Sequence, residues 1–210
     1  MFKLKELAHI IIVIILFAFI ISFLRGIDAY LIALLIAAII IFVNILAKKL
    51  MARYLDSEIE QKILQWQRWG WYERSKLKKP IPAGIIFPFI LIWISYPIGF
   101  LKMLTFLQFD VKPTSGRAAK RHGLYRYSEM TEWHISAIAG TGIFACLVLG
   151  IIAYLLGYSD LARYSIYFSI WNLLPLGQLD GTKILFGSKI LWTILTVLAL
   201  IGLGFALLVV

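Results

Sequence analysis

The sequence predicts an α-helical polytopic membrane protein with five transmembrane helices, a re-entrant or kinked Pro-rich segment and a small cytoplasmic β element. Three observations support this prediction. Hydrophobic residues make up 61% of the 210 residues, well above the roughly 45–50% of soluble domains. Apolar runs of about 20 residues, the length that crosses a bilayer, recur along the chain. Most of the Lys and Arg residues lie between these runs, and residues 1–210 read as a single membrane domain.

Five apolar runs have the length and composition of membrane spans. They cover residues 8–24, 29–47, 133–156, 162–180 and 188–210. The first follows Lys3 and Lys5 but has no cleavage site of small residues, so we interpret it as a retained span and not as a signal peptide. The fourth is short, and its continuation through Pro175 completes the crossing.

A sixth apolar run, residues 81–104, contains three prolines and two glycines. The segments on either side of it, residues 48–80 and 105–132, are basic, and the positive-inside rule places both in the cytoplasm. The run between them must then enter and leave the membrane on the same side. A full span kinked by proline is the alternative, because Pro and Gly are common in membrane helices.

The two basic segments also contain the predicted β element. Residues 53–64 alternate loosely and form either a short strand or an amphipathic helix, while residues 106–127 read as strand, basic loop, strand. Trp66, Trp69 and Trp71 lie among basic residues, which is typical of an aromatic belt at the membrane interface.

Composition limits the partners and cofactors. The single cysteine, Cys146, excludes a disulfide framework within the chain and a Cys-based zinc site. The net charge of +10 favours the anionic headgroups of a lipid bilayer as a partner. Nucleic acid is not expected, because no nucleic-acid-binding motif accompanies the charge. We therefore expect a multi-pass protein of the cell membrane with its N-terminus in the cytoplasm.

The segment N-L-L-P-L-G-Q-L-D-G, residues 172–181, is the strongest candidate for a functional site. It places Asn172, Pro175 and Asp180 between two apolar runs. A carboxylate at membrane depth is costly unless it is paired, bound to an ion or hydrated in a cavity. Irregular backbone there must be buried in protein or line a cavity.

The pattern N-x-x-P-x-x-x-x-D-G in this segment resembles the motif of the site-2 protease family, which are intramembrane zinc metallopeptidases. The resemblance implies that Asp180 stands where the family has a zinc ligand. In the family, the other two ligands come from an upstream H-E-x-x-H helix, in which the Glu is the general base. Asn172 and Pro175 would then belong to a groove that holds a substrate or partner segment.

The end of the second span, residues 44–54, matches the position of that helix but not its chemistry. Asn44, Ile45 and Lys48 stand where the family has His, Glu and His. Protonated Lys has no acceptor for a metal, and Ile cannot accept a proton from water. We expect no catalytic residue and no bound cofactor here. If any metal is bound, its ligand is Asp180.

The same substitutions suggest a replacement for the metal. Lys48 brings a positive charge to the side of the membrane where Asp180 is expected, so we predict a Lys48–Asp180 ion pair with Asn44 or Asn172 as hydrogen-bond partners. The alternative is that Lys48 extends to the cytoplasmic interface beside Lys49.

Three functions follow from these observations. The first is a catalytically inactive site-2 protease-like protein, a pseudoenzyme that binds or regulates a membrane partner or client. The second is an active intramembrane zinc metalloprotease in which Asp180 works with a His from another segment. The third is an ion- or lipid-handling membrane protein that uses Lys48 and Asp180 as a charged pair.

Overall fold

The computed structural model describes residues 4–23, 26–68, 76–95, 104, 107–114 and 130–208. Most of these residues are helical. The helices are α1 (Leu4–Ser22), α2 (Ile27–Tyr54), α3 (Ala83–Ser95), α4 (Glu132–Leu155), α5 (Ser159–Leu173), α6 (Asp180–Gly187) and α7 (Lys189–Leu208). The strands are β1 (Ser57–Ile63), β2 (Trp66–Arg68), β3 (Lys76–Ile81) and β4 (Leu107–Pro113).

Four helices among the described residues, α1, α2, α4 and α7, are long and apolar enough to cross a membrane. They coincide with four of the five predicted spans. The predicted span over residues 162–180 is not one continuous helix, because α5 ends at Leu173 and residues 174–179 are irregular. The 15 residues of α5 rise only about 22 Å, which is less than the roughly 30 Å hydrocarbon core.

Two short antiparallel sheets make up the β element. β1 pairs with β4, and Gln61 lies opposite Phe109; β2 pairs with β3. Residues 53–64 were predicted to form either a short strand or an amphipathic helix. They form the end of α2, followed by β1. The expected basic loop and second strand at residues 115–127 lie outside the described residues, as do Trp69 and Trp71 of the expected aromatic belt.

The first half of the Pro-rich run is α3, which contains Pro88 within the helix. α3 packs against α1, because Phe89 stacks on Phe19 with ring centroids 6.1 Å apart. Residues 96–103 of this run lie outside the described part of the chain.

Two hydrophobic clusters hold the helices together. The first joins α1, α2 and α5, where the rings of Phe17 and Phe168 stack at 5.8 Å. The second joins α4, α6, α7 and β4 around Ile143, Ile184 and Phe109. α2 packs against both α1 and α4, and it contributes Ile45 to the first cluster and Ala52 to the second.

Candidate functional site

Lys48 and Asp180 form a buried ion pair. Lys48 is near the end of α2, and Asp180 is the first residue of α6. Lys48 Nζ donates to Asp180 Oδ2 at 2.5 Å, and the two side chains are 2% and 1% exposed. The pair predicted from the sequence is therefore present, and Lys48 does not extend to the interface.

Asn44 and Ile45, which the resemblance aligns with a ligand and the general base, point in different directions. Asn44 lies one turn before Lys48, is buried, and donates from Nδ2 to Cys146 Sγ at 3.6 Å. Ile45 belongs to the apolar cluster that contains Phe17. Asn44 therefore shares the face of Lys48, as the first position of an H-E-x-x-H helix would, whereas Ile45 packs in the core. The expected hydrogen bond from Asn44 to the ion pair is not among the bonds described.

Asn172 and Pro175 have structural surroundings that differ from each other. Asn172 is 2% exposed, and its Nδ2 donates to the carbonyl groups of Phe168 at 2.8 Å and Leu104 at 3.5 Å. It therefore connects α5 to the chain just before β4, and it does not bond to the ion pair in the described structure. Pro175 lies in the irregular segment, where it is exposed.

The irregular segment returns the chain sharply so that α6 begins against the end of α5. A Cβ atom on Gly181 would lie 2.0 Å from the carbonyl oxygen of Leu173, so only glycine fits there. The same Leu173 oxygen accepts a hydrogen bond from Trp192 Nε1 of α7 at 3.1 Å. These contacts fix the first turn of α6, and with it the carboxylate of Asp180.

Lys183 and Phe109 complete the site, and neither was singled out from the sequence. Lys183 Nζ donates to the Phe109 carbonyl oxygen of β4 and lies 3.7 Å from the centroid of the same ring. Lys48 Nζ is 5.0 Å from that centroid. Burial lowers the pKa of Lys183 from 10.5 to about 8, and nearby Lys48 adds to this, while Asp180 and Asp110 oppose it. In the sequence, the only local sign of a role for Lys183 was its position three residues after Asp180.

A second ion pair ties the same end of α2 to α1. Lys49 Nζ lies 2.9 Å from Glu6 Oε1, and Glu6 is 4% exposed. The backbone N–H of Gln61 in β1 also donates to Glu6 Oε1, at 3.3 Å. Consecutive lysines of α2 therefore reach acids on opposite sides, Lys48 toward α6 and Lys49 toward α1.

These residues do not fit a catalytic zinc ion. Such a site usually has three protein ligands and a water, and no group of three His, Cys, Asp or Glu side chains in the described part of the chain is placed to hold a metal. Asp180 Oδ2 is occupied by an ammonium group that has no lone pair to offer. Asp180 Oδ1 is buried and has no hydrogen-bond partner within the described residues.

Comparisons with family models, with curated proteins and with solved structures return no match to this chain. The resemblance to site-2 proteases therefore rests on the motif at residues 172–181 and on the order of its partner residues in the chain. Lys48 and Asp180 are 132 positions apart in the chain, so their contact comes from tertiary packing and not from a local pattern.

Proposed function

We propose that this protein is a catalytically inactive relative of the site-2 proteases, in which an ion pair occupies the place of the catalytic zinc. The observation that carries the proposal is the 2.5 Å contact between Lys48 and Asp180, both fully buried. These residues stand at two of the three ligand positions that the family motif implies. An internal positive charge there stabilises Asp180 and joins α2 to α6 without a metal.

We further propose that α5 and residues 174–179 together cross the membrane a fifth time, and that residues 81–104 form a re-entrant element. The support for this topology is the register of the first sheet. β1 begins directly after α2, and its first residue, Ser57, lies opposite Pro113 at the end of β4. The chain that enters with α3 thus comes back to the end of α2. The N-terminus, Lys48 and Asp180 then share the cytoplasmic side of the cell membrane.

With hydrolysis lost, we assign the protein a binding role toward a membrane-protein partner or client. Residues 175–178 are exposed beside the site, which suits contact with a partner segment that is extended or unwound. The Gln61 N–H bonds to Glu6, so it points away from β4. The opposite residue, Phe109, then directs its carbonyl group away from β1, toward Lys183. This outer edge of β4 adjoins the ion pair, but Lys183 occupies its Phe109 carbonyl group, which leaves the exposed residues 175–178 as the surface for a partner.

Metal analysis of the purified chain tests the inactive site. We expect the wild type to contain far less than one zinc per chain and to leave a membrane-segment substrate uncut. Asn44→His combined with Lys48→His restores two ligands beside Asp180, on one helix face, and should bind about one zinc. This variant leaves Ile45 in the core, since a glutamate there would be buried among apolar groups.

The matched control adds Asp180→Ala to the two histidines, and zinc binding should fall again. Stoichiometric zinc in the wild type, together with cleavage that Asp180→Ala abolishes, would overturn the proposal in favour of an active metalloprotease. Failure of the folded double-histidine variant to gain zinc would show that Asn44 and Lys48 are not the equivalents of the family ligands.

A photo-crosslinking amino acid at position 178 tests the binding role. We expect crosslinks to a protein from native membranes at this position, and lipid adducts alone at Val197, which is 50% exposed on α7. Equal protein labelling at both positions would count against a partner site at residues 175–178.

A further inference from the structure

A polar cavity lies where α2 ends and β1 begins, apart from the ion-pair site. Its volume is about 270 Å³, slightly below the roughly 300–1,000 Å³ of pockets for drug-sized ligands. The residues that line it are Lys49, Ala52, Arg53, Asp56, Ser57, Glu58, Ile59 and Thr114. Its size and mixed charges fit a small polar group with both a positive and a negative end.

The length of α2 places this cavity in the lipid headgroup layer. α2 has 28 residues and is therefore about 42 Å long, longer than the roughly 30 Å hydrocarbon core. Its apolar part ends before Lys48, so the last two turns extend about 10 Å beyond the core. Leu50 and Tyr54 are 56% and 82% exposed on these turns, where they can contact the headgroup layer of surrounding lipid.

The positive side of the cavity is Arg53. Lys49 also lines it, but its charge is balanced by Glu6 at 2.9 Å. Arg53 is exposed and has no ion-pair partner in the described structure. A guanidinium group can donate two parallel hydrogen bonds to a phosphate, which makes it the residue best suited to a phosphodiester.

The negative side is formed by Asp56 and Glu58. In the sheet, Glu58 lies opposite Lys112, but Lys112 pairs instead with Glu60 at 3.2 Å. The Glu58 carboxylate is therefore left without an ion pair among the described residues. Asp56 sits in the turn after α2 with φ 50°, a conformation that Asp and Asn tolerate better than most residues. These acids repel a purely anionic headgroup.

We propose that this cavity binds the headgroup of a zwitterionic phospholipid with a primary amine, a phosphatidylethanolamine, with Arg53 at the phosphate and Glu58 at the ammonium. A primary ammonium group has three N–H donors and can bond to the Glu58 carboxylate. The trimethylated amine of phosphatidylcholine donates none, so the cavity distinguishes the two lipids.

Lipid titration of the purified full chain in detergent, followed by native mass spectrometry, tests the proposal. Lipids with identical acyl chains should bind in the order phosphatidylethanolamine, phosphatidylcholine, phosphatidylglycerol. We expect a preference of about tenfold for the ethanolamine lipid over the choline lipid, the size of effect that a charge-assisted hydrogen bond supports. Equal binding of these two, or tightest binding of phosphatidylglycerol, would overturn it.

Three variants and one soluble ligand test whether the lipid binds in this cavity. Glu58→Gln should reduce the preference severalfold, whereas Arg53→Gln should weaken the binding of both zwitterionic lipids. The control Lys189→Gln removes an exposed cation on α7 and should change nothing. An equal effect of Lys189→Gln and Arg53→Gln would overturn the proposal. So would glycerophosphoethanolamine, which lacks acyl chains, binding as tightly as the lipid.

Discussion

Gly142 of α4 leaves the space that the side chain of Lys48 fills. A Cβ atom on Gly142 would lie 2.5 Å from Lys48 Cε and 2.7 Å from Lys48 Cγ, closer than side chains can pack. The same atom would lie 3.1 Å from Asn44 Nδ2. The path of Lys48 to Asp180 therefore depends on a glycine from a third helix.

Gly142→Ala should destabilise the protein by about 1–3 kcal/mol, the usual cost of overpacking, because Lys48 must move away from Asp180 to make room. Gly204→Ala is the control, since its Cβ would meet nothing within 4 Å. That change should be neutral or stabilise by less than about 1 kcal/mol, as Ala is the better helix former. Unfolding in mixed detergent micelles measures both, and equal effects would contradict the close approach.

A double-mutant cycle can measure how strongly the buried Lys48 and Asp180 side chains are coupled. Lys48→Met or Asp180→Leu alone should each cost about 3–5 kcal/mol, because each leaves one buried charge unpaired. The double variant should cost much less than the sum. Lys62 and Asp110 are a matched control, with the same 2.5 Å separation but side chains 38% and 43% exposed. Their coupling should be below about 1 kcal/mol, and equal coupling in both cycles would show that burial does not strengthen the first pair.

The pair could be predicted from the sequence because the resemblance to site-2 proteases aligns Lys48 and Asp180 with two zinc-ligand positions. Asp180 also lies between two apolar runs, where a carboxylate requires a partner, and Lys48 stands at the end of another such run. Four spans could be predicted for a different reason, because the length of an apolar run is a local property of the sequence. Pro175 also carried a local signal that the fourth predicted span breaks, because the residue before a proline is biased away from helix, and α5 ends at Leu173.

The surroundings of the pair could not be predicted. Phe109 comes close to Lys48 and Lys183 only because β4 pairs with β1, a contact between residues more than 40 positions apart. The requirement for glycine at position 142 depends likewise on where α2 crosses α4. Long-range packing of this kind leaves no periodic pattern in one sequence.

Lys183 should make the stability of the protein depend on pH above neutrality. Its pKa is about 8 in the folded protein and 10.5 ordinarily, so between these values the unfolded chain binds more protons. The cost of burying the charge is therefore fully present below pH 8 and disappears as the pH rises toward 10.5. The wild type should gain at most about 3 kcal/mol over this range relative to Lys183→Met. Parallel stability curves for the two proteins would refute the low pKa.

Gly181→Ala should be more damaging than Gly142→Ala, because the obstacle is backbone. The new Cβ would lie 2.0 Å from the Leu173 oxygen and 2.7 Å from the Leu174 oxygen, and neither can rotate away as a lysine side chain can. α6 must then shift, and Asp180 at its first position moves with it. We expect a loss above about 3 kcal/mol, at the upper end of overpacking effects, or failure to fold.

The control for this prediction is Gly177→Ala in the neighbouring irregular segment. Gly177 has φ 58° and its Cβ would meet nothing closer than 3.8 Å, so alanine there should cost only the roughly 1–2 kcal/mol of a left-handed backbone. Thermal unfolding of the two variants in the same detergent gives the comparison. A cost at position 181 no larger than that at position 177 would mean that α6 does not begin directly against the end of α5, and the placement of Asp180 would lose its support.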